Sequence, residues 1–68
     1  MAHKIEQERI DAMIFVIDDW QRELRGFREV GFLHCAEHVS EQLFGAEIVL
    51  SVLGLEELSA KARGARTE

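Results

Sequence analysis

The chain has 68 residues, 47% of them hydrophobic, with 13 acidic and 8 basic side chains and a formal charge of -5. One cysteine excludes an internal disulfide framework and a four-cysteine zinc site. The apolar content excludes a disordered acidic tail, and the length allows one domain at most.

A domain of this size buries only about 60% of the surface its unfolded chain exposes. Its stability is expected near 3–10 kcal/mol, from roughly 0.05–0.15 kcal/mol per residue. Chains this short are often completed by a disulfide, a metal or a partner subunit. With no disulfide, a partner or a metal has to be considered.

The first helix is expected over about residues 4–28. Its apolar seam reads Ile10, Met13, Ile17, Trp20, Leu24, Phe27, with spacings alternating three and four. Such spacing keeps side chains on one stripe of a helix. Glu6, Glu8 and Asp11 near the start and Arg22, Arg25 and Arg28 near the end complement the helix dipole. Gly31 suits a left-handed C-terminal cap, and Gly26 is the alternative stop.

The second helix is expected over about residues 32–53. Its seam is Phe32, Ala36, Val39, Leu43, Ala46, Leu50, Leu53. A short connection makes the two helices an antiparallel hairpin. A turn centred near residues 29 and 30 sets Ala12–Ile17 opposite Gln42–Glu47. The phase of the pattern changes at Gly54, where a new stripe of Leu55, Leu58 and Ala62 begins. A kinked extension or short third helix is therefore expected over about residues 55–63, ending at Gly64. Residues 65–68 are expected to fray. No segment alternates apolar and polar residues over a strand's length, so the fold class is all-α within a single domain, residues 1–64.

One hairpin has one internal face, which leaves apolar residues over. Ile14, Phe15 and Val16 lie off the first seam, and Phe44, Ile48, Val49 and Val52 off the second. Left wet they would form a large apolar patch. The simplest solution is a homodimer, a four-helix bundle of two hairpins. Its core would take Ile14, Val49, Val52, Leu55 and Leu58, the third helix packing on the second protomer. Gly45 and Ala46, at mid-height, permit close helix approach. In architecture alone this expectation resembles the Rop-type hairpin dimer, an RNA-binding four-helix bundle.

The most suggestive local motif is His34-Cys35-Ala36-Glu37-His38 followed by Glu41. His34, His38 and Glu41 share one helical face and could chelate zinc or another transition metal. In the expected register Glu41 approaches Asp18, a further oxygen. The plainer reading is a polar flank beside the core, since the Glu of His-Glu-x-x-His zincins is missing; no cofactor is expected. Cys35 has no orienting group for nucleophilic catalysis and reads as an inert, partly buried thiol. Asp18 and Asp19 are spaced for ion pairs with Arg22, and no cleft is expected for acid/base chemistry. The chain is not expected to be an enzyme.

Arg22, Arg25 and Arg28 form a basic edge, but a pI of about 5.1 disfavours nucleic acid. The run Ala12–Ile17 is too short for a secretory signal core. The run Leu43–Leu55 carries Glu47 and is too short to span a membrane. A cytoplasmic chain with a free thiol is expected. The leading functional expectation is a non-catalytic protein-interaction module, a regulator, inhibitor or adaptor. It would dock a larger protein through the acidic first-helix face, including Asp18 and Asp19, or an apolar patch of Phe15, Phe44 and Ile48.

Overall fold

The computed structural model describes residues 6–67, and every regular element among them is helical. Helix α1 spans Gln7–Glu29, α2 Leu33–Val52 and α3 Glu56–Thr67. All three pack against one another. The first-helix positions expected at residues 4 and 5 lie outside the described residues.

The two connections are built alike. Gly31 and Gly54 each adopt φ of 79°. That left-handed conformation is open to glycine and costly for residues with a Cβ. After α1, the Phe32 N–H donates to the Phe27 carbonyl at 2.8 Å and the Gly31 N–H to that of Arg28 at 3.2 Å. After α2, the Leu55 N–H donates to the Leu50 carbonyl at 2.8 Å and the Gly54 N–H to that of Ser51 at 3.0 Å. Each is a Schellman cap that satisfies helix-end carbonyls and reverses the chain within three residues. With no proline in the sequence, these two glycines set the topology.

The core follows the expected seams. Ile17 and Leu24 of α1, Ala36, Val39, Leu43 and Leu50 of α2, and Leu58, Ala62 and Ala65 of α3 are buried together. Ile10, Met13, Trp20 and Phe27 pack at its edge. The seam ends Phe32 and Leu53 remain exposed, because both flank a chain reversal.

Three expectations are corrected. First, α3 folds back over its own hairpin rather than packing on a second protomer. Leu58 is buried within the chain, and Ile14 and Leu55 pack against the same core. These three residues of the expected dimer core are therefore used internally, because the Gly54 cap turns the chain onto α1 and α2. Second, α3 does not stop at Gly64 but runs to Thr67. Ala65 is buried and Arg66 half-buried, so the packed face extends beyond the expected frayed tail. Third, the hairpin register is shifted. Met13, Val16 and Ile17 share a groove with Ala46, Val49 and Leu50, not with residues 42–45. The turn is centred on Gly31, which moves every α2 partner by about one helical turn.

Polar contacts hold α3 in place. Ser59 Oγ donates to the Glu47 carbonyl at 2.7 Å. Arg66 Nη2 donates to Glu47 Oε1 at 2.8 Å. The Arg66 guanidinium lies 5.1 Å from the centre of the Phe44 ring, within cation–π range. On α1, Lys61 Nζ pairs with Asp18 Oδ1 at 2.8 Å.

Candidate functional site

Helix α3 covers one side of the α1–α2 hairpin and leaves the other open. On α1 the residues beside α3 are Ile10 and Ile14, which line a shared cleft with Leu55 and Leu58. Asp18 continues that line to Lys61. Ala12, Met13, Val16, Ile17 and Trp20 line the opposite side, where they meet Ala46, Val49 and Leu50 of α2. The resulting groove has a volume of about 290 Å³ and an apolar lining. A groove of this kind accepts the apolar face of an amphipathic helix.

Beside the groove runs a second apolar surface, on α2 itself. Phe44, Ile48, Val49, Val52 and Leu53 are exposed, Val52 most of all at 82%. The two polar side chains in this stretch bond to α3. Glu47 is held by Arg66 of α3, and Ser51 Oγ donates to Glu56 Oε1 at 3.4 Å. Ile48 and Val52 border a cleft that these two side chains share with Glu56, Ser59 and Arg63. In the N-terminal half of α2 the same face is polar, with His34, Glu37, His38 and Glu41 around a shallow cleft. One helix face therefore divides into a polar half and an apolar half.

The expected docking residues do not form one surface. Phe15 is 66% exposed. It lies two residues from both Met13 and Ile17, hence on the far side of α1. Phe44 and Ile48, one turn apart on α2, remain together, with Phe44 partly covered by Arg66. Asp18 is engaged by Lys61, and Asp19 pairs with Arg22 at 3.2 Å. The acidic face is thus partly compensated within the chain. Asp18 is drawn to Lys61 of α3, and not to Glu41 as the expected register had it.

His34, His38 and Glu41 do come to one cleft. Among the described residues, however, no group of three or more His, Cys, Asp or Glu side chains is disposed to hold a metal ion. Cys35 is exposed and not partly buried, since it precedes the core residue Ala36 on the outer side of α2. On the arginine edge, Arg22 is paired with Asp19, and neither Arg25 nor Arg28 is without a partner. No described helix is long and apolar enough to cross a membrane.

The groove was the feature that sequence reasoning missed. Its signal was the second stripe Ala12, Val16, Trp20, spaced four and four, beside the main seam. The structure defines the class of the molecule as a three-helix all-α fold with two adjoining apolar surfaces. No protein-family model, curated protein or solved structure matches the chain.

Proposed function

We propose that this chain is a small non-catalytic protein-interaction module, a regulator, inhibitor or adaptor. In this reading it works as a homodimer in which two α1–α2 pairs form a four-helix arrangement, and it offers a helical groove to a larger protein. The observation that carries the reading is the apolar groove between α1 and α2 on the face opposite α3.

Exposed apolar side chains support it: Phe44, Ile48, Val49 and Val52 of α2 lie at the surface. A helix that is apolar on several sides is characteristic of a larger core than one hairpin provides. The C-terminal half of α2 has this character.

Val16→Glu places a charge in the groove at a position already 41% exposed, so the fold is expected to survive. The wild-type chain should capture a defined protein that V16E does not, with equal helicity by circular dichroism. Equal capture by both variants would remove the groove as the docking site.

A further inference from the structure

The groove opposite α3 is apolar along its floor, but its two edges differ in charge. On α2 it is lined by Ala46, Val49 and Leu50. The residues that continue this stripe in either direction, Gln42 and Leu53, are uncharged. On α1 the lining runs from Ala12 to Trp20, and there the edge is acidic. Asp19 follows Val16 by three residues and Ala12 by seven. Glu23 follows Trp20 by three and Val16 by seven. These spacings stack side chains along one side of a helix. They bring both carboxylates to the edge of the groove at its Trp20 end.

The basic residues of α1 do not cancel this edge. Arg25 follows Val16 by nine residues and so lies on the opposite side of the helix. Arg22 reaches Asp19 at 3.2 Å, but the two side chains are 65% and 49% exposed, and such a pair is weak. At the Ala12 end the edge is neutral, because Glu8 and Arg9 are neighbours there. Trp20 supplies a further element of recognition. It lines the groove and is only partly buried, and an indole ring is the best aromatic platform for a cation.

We infer that the groove takes an amphipathic helix of another protein that carries a lysine or arginine at one end of its apolar stripe, with that cation over Trp20 and beside Asp19 and Glu23. The inference rests on the groove reading proposed above and specifies the partner's chemistry. From Ala12 to Trp20 the lining measures about 12 Å, so roughly two turns of helix fill it. The partner's cation belongs at the end of those two turns, where the groove meets its carboxylates. The net charge of -5 steers such a partner toward the chain.

The test uses two synthetic helical peptides without tryptophan. Both carry the same stripe of leucine and alanine, ended in one by two lysines and in the other by two glutamates. Trp20 is the only tryptophan of the chain, so its fluorescence reports occupancy of the groove. The lysine peptide should bind the full chain at least about tenfold more tightly than the glutamate peptide. The double variant Asp19→Lys, Glu23→Lys should reverse that order with helicity unchanged. Val16→Glu should block the lysine peptide although it makes the chain more acidic. That result separates seating in the groove from general attraction of a cation.

Equal binding of the two peptides, both blocked by V16E, would overturn the cation site and leave the groove standing as a helix site. Lysine-peptide binding that V16E leaves intact would place the cation outside the groove and overturn the inference. Failure of both peptides to bind at about 0.1 mM would overturn the groove reading and the inference together.

Discussion

Arg66 Nη2 lies 2.8 Å from Glu47 Oε1 and ties the last turn of α3 to the C-terminal half of α2. Both side chains are mostly buried, at 26% and 17% exposure. The pair therefore docks α3 against α2.

Arg66→Ala should lower stability by about 1–2 kcal/mol, since it leaves the mostly buried Glu47 without its ion-pair partner, with solvent screening part of the loss. Urea denaturation measures it. Asp18→Asn removes the more exposed pair with Lys61, at 44% and 38% exposure. It should cost no more than about 1 kcal/mol, and that cost should shrink in salt. Equal costs for the two variants would contradict the assigned role of Arg66.

Gly54→Ala should destabilise the chain by about 1–2 kcal/mol, because alanine is strained at a φ of 79°. Gly26→Ala should have the opposite sign. Gly26 is helical with open space around a Cβ, so alanine should add up to about 1 kcal/mol. Thermal melts of the two variants, read at one protein concentration, check the contrast.

Leu43→Ala should cost about 2–5 kcal/mol, because Leu43 is fully buried at the meeting of the three helices. Phe15→Ala, on the far side of α1 from the core, should change stability by no more than about 0.5 kcal/mol. A large loss from F15A would mean that Phe15 is covered in the assembly.

Zinc at stoichiometric excess should leave the melting temperature unchanged, because no described group of three or more potential ligands is disposed to hold a metal. A ligand that binds only the folded state at a hundred times its dissociation constant would add about 2.7 kcal/mol. A clear upward shift that His34→Ala abolishes would restore the His34–His38–Glu41 cleft as a metal site.

The seams of α1 and α2, the left-handed Gly31 and the start of a third helix after Gly54 were legible in the sequence; the left-handed conformation of Gly54 was not. Three-and-four spacing and glycine placement are local signals, and Ile17, Leu24, Leu43 and Gly31 carry them directly. The axial offset between helices was not legible. It depends on where the cap falls within Gly26–Gly31, and a shift of a few residues moves Val49 from one partner to another. The return of α3 was also hidden, because the same leucines, Leu55 and Leu58, satisfy a pattern whether buried by their own chain or by another. Gly64 was read as a stop on propensity. Burial of Ala62 and Ala65 on either side of it overrides that weak preference.

Sedimentation equilibrium of the full chain tests the proposed homodimer most directly. The wild type should dimerise at micromolar concentration. A chain that stays monomeric to about 0.1 mM would contradict the proposal.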